Sequence, residues 1–105
     1  MKVYSVQFRP SAKCDLRNIY LYINKQASAN IAKSYITRIH SFAVKLNLAP
    51  YRGSSISHPH ITNLRVVGFE HRVSILFCIR EEEIAILRIL YGGRNMQKIL
   101  ESLQP

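Results

Sequence analysis

The chain has no tryptophan, two cysteines, four glycines, four prolines and only six acidic residues among its 105. Each shortage excludes something. Cys14 and Cys78 stand far apart and form no CxxC pair, so neither zinc ligation nor thioredoxin-like chemistry is indicated and both thiols are expected to be reduced. A glycine-rich phosphate loop is missing, since Gly92-Gly93 says only that the backbone turns. No apolar run approaches the length that spans a bilayer, and Met1 to Phe8 is too short and too alternating for a signal peptide, so a cytoplasmic protein without membrane contact is expected. His58-Pro59-His60 lacks a neighbouring cysteine or carboxylate, which leaves a solvated loop and no expected metal or cofactor.

Negative charge is the scarcest commodity. From Leu16 through Phe69 there is no acid, while Arg17, Lys25, Lys33, Arg38, Lys45, Arg52 and Arg65 all fall there. Fifteen Lys and Arg against six Asp and Glu give a net charge of +9. Such a field favours encounter with nucleic acid or with an acidic protein, and composition does not choose between them.

What is present is a folding chain, 48% hydrophobic and 20% charged, of a length that suits one domain over residues 1–105. Lys2 to Phe8 alternates and reads as a strand. Pro10 occupies the first turn of a helix in which Ala12, Leu16, Ile19 and Ile23 recur at four-three-four spacing, flanked by Tyr20, ending near Lys25-Gln26. Ser28 is a plausible N-cap for a second helix, whose stripe runs through Ala32, Tyr35, Ile36, Ile39, Ala43 and Leu46 until Pro50 stops it. Two amphipathic helices so closely joined predict an antiparallel hairpin.

Residues 50–63 read as a loop. Leu64 to Val67, Arg72 to Ile79 and Glu83 to Tyr91 then form an antiparallel meander with turns at Gly68 to His71 and Arg80 to Glu82, and Asn95 caps a short last helix or tail holding Met96, Ile99, Leu100 and Leu103. Glu81-Glu82-Glu83 is a polar turn that protects the end of the sheet. The class is α+β, with an N-terminal strand and a helix hairpin packed on the meander. Arg88 stands out, because it lies within Ile84 to Tyr91, a run that reads as buried on both faces. An arginine there needs an acceptor or an open surface, such as Glu70, a sheet neighbour or an external anion.

Several segments carry a family resemblance. Pro10-Ser11-Ala12 with Asp15-Leu16 and Tyr20-Leu21-Tyr22-Ile23, then Ala32, Tyr35 and Ile39, Leu48-Ala49-Pro50-Tyr51-Arg52-Gly53, Leu64-Arg65, Arg72 to Phe77 and Ile86 to Arg94 follow one another as in the ParE/RelE superfamily of toxins from toxin–antitoxin operons. The chain resembles ParE more than RelE in its first helix and its well-developed second helix.

The resemblance implies a toxin neutralised by a cognate, ParD-like antitoxin in a hetero-oligomer. A ParE-like chain would block DNA gyrase by contact, with Arg88, Tyr91 and Arg94 as target-binding residues, and its antitoxin would meet Arg17, Lys33 and Arg38. A RelE-like chain would instead cut mRNA on the ribosome, using Arg65, Arg72, Arg88 and Tyr91, with His58, His60 or His71 as alternative proton carriers. Against catalysis, Tyr51 to Glu70 contains no lysine, and a tyrosine titrating near its usual value of about 10 is a poor base. A basic nucleic-acid-binding module is a further alternative, without an evident stacking motif or recognition helix. Arg72 could merely flank a turn, whereas Arg94, after two glycines, is expected to be exposed.

Overall fold

The structure, a computed structural model, describes residues 3–93 and 95–103. In chain order it runs β1 (Ser5–Phe8), α1 (Pro10–Gln26), α2 (Ala29–Val44), a 3-10 turn (Lys45–Asn47), β2 (Ser54–Ile56), β3 (Leu64–Phe69), β4 (Val73–Arg80), β5 (Glu83–Tyr91) and α3 (Met96–Ser102). The starts of the helices follow local chemistry. Pro10 takes the first helical position of α1, where its missing N–H removes nothing. Ser28 Oγ accepts the Ile31 N–H at 3.2 Å and caps α2, and Asn95 Oδ1 accepts the Lys98 N–H at 3.2 Å and caps α3.

The sheet has five strands in the order β1-β5-β4-β3-β2. The meander of β3, β4 and β5 is antiparallel as expected, but β1 lies parallel against β5, Ser5 opposite Glu83 through Phe8 opposite Ile86, so the sheet is mixed. β1 starts at Ser5, later than the alternation suggests, because its pairing begins where β5 does: the Ser5 N–H meets Glu82 O at 2.9 Å.

The expected loop over residues 50–63 is corrected too: Ser54–Ile56 pairs antiparallel with Leu64–Val66 and forms the far edge. Gly53 makes this turn possible. Its φ is +76°, and a Cβ there would lie 2.0 Å from Val66 O, so no other residue fits. β3 runs on through Gly68 to Phe69, and the chain reverses at Glu70 and His71, both at positive φ (48° and 63°) as in a tight hairpin turn.

Two apolar layers sandwich the sheet. Val73, Ile75, Phe77, Ile79, Ile84, Ile86 and Ile89 meet Ala12, Ile19, Tyr35, Ile39 and Ala43 of the helix hairpin and Leu46 of the 3-10 turn that follows it. Leu64, Leu76, Cys78, Ala85, Leu87 and Leu90 form the other layer, covered by Ile61, Leu103 and the flank of α3. His58 fastens that cover. Its Nδ1 accepts the His60 N–H at 3.1 Å, which assigns the proton to Nε2, and Nε2 donates to Leu100 O at 2.9 Å. No helix among the described residues is long and apolar enough to cross a membrane.

Candidate functional site

The register of β4 on β5 slips once, from Leu76 opposite Arg88 to Phe77 opposite Ile86, leaving Leu87 as the extra residue of a bulge. The bulge resets the side-chain phase. Ile84 and Ile86 face the helices before it, and Ile89 and Tyr91 face them after it. Beyond Phe8 no strand of the described residues covers this edge of β5, and the first turns of α1 take over. Ser11 Oγ donates to Leu87 O at 2.9 Å, and Asp15 Oδ2 accepts the Ile89 N–H at 2.8 Å.

The same carboxylate receives Arg88, with Nε to Oδ2 at 2.7 Å and Nη2 to Oδ1 at 2.9 Å. Arg88 therefore pairs across layers with α1, not with Glu70 or a sheet neighbour. The hydrogen bond to Asp15 holds its guanidinium above the usual high arginine value, against burial that pulls the other way. Because the side chains are only 19% and 7% exposed, both charges persist by satisfying each other.

At the end of β5 lies a shallow cleft of about 260 Å³ lined by Ile23, Ile31, Tyr35, Arg38, Glu70, Arg72 and Tyr91. Two tyrosines build its aromatic wall, Tyr91 standing 6.0 Å, edge-on, from Tyr35, and Tyr22 packs on Tyr91 at 5.7 Å. Arg38 lies 5.2 Å over the Tyr35 ring and reaches both oxygens of Glu70 with a single nitrogen, Nη1, at 3.0 and 2.9 Å. The Tyr35 hydroxyl is buried and has no hydrogen-bond partner among the described residues. Burial raises its pKa first, then Tyr91 and Glu70, while Arg38 and Arg72 pull it down. Glu70, the one acid among the described residues that line the cleft, is engaged by Arg38.

Of the residues singled out in the sequence, the fold brings Tyr91, Arg72 and Arg38 into this one cleft. Arg72 does flank a turn, its N–H meeting Phe69 O at 3.3 Å and its carbonyl accepting the Gly92 N–H at 2.8 Å. Arg65 stands elsewhere: Nε donates to Arg52 O at 3.2 Å, and Nη2 to Tyr51 O at 2.9 Å and Gly53 O at 3.1 Å. It clasps the turn before β2. Arg17 and Lys33 are exposed on the helix hairpin. Arg94 lies outside the described residues. His58 holds α3, and no group of His, Cys, Asp or Glu among the described residues is arranged to hold a metal.

Three participants escaped sequence reasoning: Asp15, Tyr35 as a cleft residue, and Glu70 as the partner of Arg38. Asp15 did leave a signal. It is the only acid before Glu70 and stands three residues after Ala12 and four before Ile19, on the apolar stripe. An acid on a buried stripe and an arginine in a buried strand are complementary anomalies.

A strand, a helix hairpin, a mixed five-stranded sheet and a short last helix define the architecture of the ParE/RelE toxins. A solved structure of the chromosomal ParDE toxin–antitoxin system from P. aeruginosa superposes with a TM-score of 0.73 at 22% identity, covering 87% of this chain and 98% of that one. The toxin–antitoxin complex RelBE2 from Mycobacterium tuberculosis gives a TM-score of 0.63 at 19% identity, covering 85% and 98%. No curated protein sequence matches the chain. The model of the ParE toxin of the type II toxin–antitoxin system parDE matches residues 6–96, and the chain belongs to that family of toxins.

Proposed function

We propose that the chain acts as a single-domain, cytoplasmic toxin, held silent by a cognate ParD-like antitoxin in a hetero-oligomer, and that when released it arrests growth by binding DNA gyrase. The contact surface is the end of β5, with Tyr91, the adjoining cleft and Arg94 meeting the target and Arg88 fixing the strand that presents them. Membership of the ParE family carries this reading. The chemistry of the cleft supports contact over catalysis: Tyr35 is made a weaker acid by burial, hence no base near neutrality, and Glu70 is engaged by Arg38.

The antitoxin reading rests on the outer face of the helix hairpin. Leu21, Tyr22 and Ile31 of the hairpin are half exposed, at 50%, 52% and 56%, with Ile31 reaching the rim of the cleft, in a span that has bases and no acid. An acidic segment with aliphatic anchors is the complementary partner, and Arg17 and Lys33 steer its approach. Reversing the charge of both should slow association and flatten its dependence on salt, because exposed charges act mainly on encounter.

One observation favours a second reading, cleavage of ribosome-bound mRNA, since Arg72 and Tyr91 line one cleft as a cation and a proton carrier would. Paired assays separate the two. Purified protein that inhibits supercoiling and leaves mRNA on translating ribosomes intact supports the gyrase reading; cleavage with supercoiling untouched replaces it. Arg72→Ala and Tyr91→Phe should abolish such cleavage if it occurs.

A further inference from the structure

A second cleft, of about 400 Å³, opens between the start of α1, the bulge of β5 and the end of α3, lined by Arg9, Pro10, Ser11, Leu87, Arg88, Ser102 and Leu103. Among the described residues no acid lines it, although two arginines do. We propose that this cleft binds a phosphate group carried by a nucleotide or by the end of a nucleic-acid strand.

Four facts carry the proposal. First, donors remain to be used. Arg88 gives Nε and Nη2 to Asp15, which leaves Nη1 without a partner among the described residues, and the half-buried Arg9 side chain makes no hydrogen bond or ion pair with them. Second, the frame is rigid before any ligand arrives. The Arg9 N–H is fixed to Ile86 O at 2.9 Å, Ser11 Oγ to Leu87 O at 2.9 Å and Ser102 Oγ to Ile99 O at 2.7 Å, and Asp15 locks Arg88. With this frame and Arg88 preformed, only the Arg9 side chain has to be ordered on binding.

Third, the donors left over suit a tetrahedral anion. A planar carboxylate matches one guanidinium fork, and Asp15 already takes that of Arg88. What is left is a nitrogen of Arg88 and the separate fork of Arg9, and the oxygens of a tetrahedral phosphate can accept from two such donors at once. Fourth, the cleft is larger than a bare phosphate needs, and the buried side chains of Leu87 and Leu103 line it beside the arginines. That suits an ester whose uncharged part rests on apolar surface.

The test follows amide shifts of the full chain as inorganic phosphate, adenosine monophosphate or a short 5′-phosphorylated oligonucleotide is added at constant ionic strength. Saturable shifts at Ser11, Ser102 and Leu103, weakened roughly tenfold or more in Arg9→Gln but not in Arg17→Gln, would support the site, a loss of that size being what one charge-assisted contact is worth. Tighter binding of the mononucleotide than of the oligonucleotide identifies a free nucleotide, and the reverse order identifies a strand end. Equal shifts with acetate, equal binding by Arg9→Gln, or shifts spread over the whole basic surface would overturn the proposal. Arg9 suits this purpose because its side chain makes no hydrogen bond or ion pair among the described residues and glutamine keeps much of its aliphatic stem, so the variant should fold as the parent does.

Discussion

Two arginine–carboxylate pairs tie the helix hairpin to the sheet, and they differ in almost everything except composition. Asp15–Arg88 is largely buried and meets fork to fork, and its carboxylate also receives the Ile89 N–H. Arg38–Glu70 is exposed, at 50% and 43%, and places one nitrogen between two oxygens. The first holds a strand whose edge has lost its neighbour. The second rims the cleft, where water competes for each partner. Burial thus decides which pair is structural and which is adjustable enough to meet a partner.

The largest expected effect comes from breaking the buried pair. Asp15→Ala should destabilise the fold by about 3 to 5 kcal/mol in urea unfolding, since it strands a guanidinium and an N–H together. If Asp15→Ala costs no more than an exposed-pair mutation, the distinction between the two pairs is wrong. Replacing both charges, with Asp15→Leu and Arg88→Met, should recover much of that loss. A residual cost of about 1 to 3 kcal/mol should remain because the Ile89 N–H still lacks an acceptor. Full recovery would mean that the backbone contact to Asp15 contributes nothing.

Tyr35 sharpens the contrast from the side of the cleft. Removing its unpartnered hydroxyl in Tyr35→Phe should leave stability unchanged or raise it by up to about 1 kcal/mol. The parent should also lose stability at high pH: with the tyrosine pKa raised in the fold, the unfolded chain ionises first, above about pH 10, and binds fewer protons, so stability falls as pH climbs. Tyr35→Phe should flatten that alkaline decline, as followed by thermal unfolding across pH. The smallest effect belongs to the exposed pair. Arg38→Ala or Glu70→Ala should cost no more than about 1 kcal/mol, and the difference should shrink as salt is added.

The helices, their caps and their buried stripes were legible in the sequence because they depend on neighbours three and four residues away. Pro10, Ser28 and Asn95 mark their starts whatever the rest of the chain does. The strands of the meander were legible for a like reason, with short turns between apolar runs. β2 was not, because Ser54–Ile56 has little apolar character and exists through pairing with β3 and the clasp of Arg65 on three carbonyls. The extension of β3 through Gly68 was hidden as well, since glycine reads locally as a turn.

The sequence by itself determined an α+β chain with a basic span free of acids from Leu16 to Phe69, a helix hairpin and a meander, and it marked Arg88 as a charge in need of a partner. Only the tertiary structure decided that the partner is Asp15, 73 residues away, that β1 lies parallel on β5, and that Tyr91, Arg72, Arg38 and Tyr35 share one cleft. The reason is one of range. Propensity and periodicity act over a few residues, whereas burial of a charge is settled by whichever side chain the packed layers bring within about 3 Å.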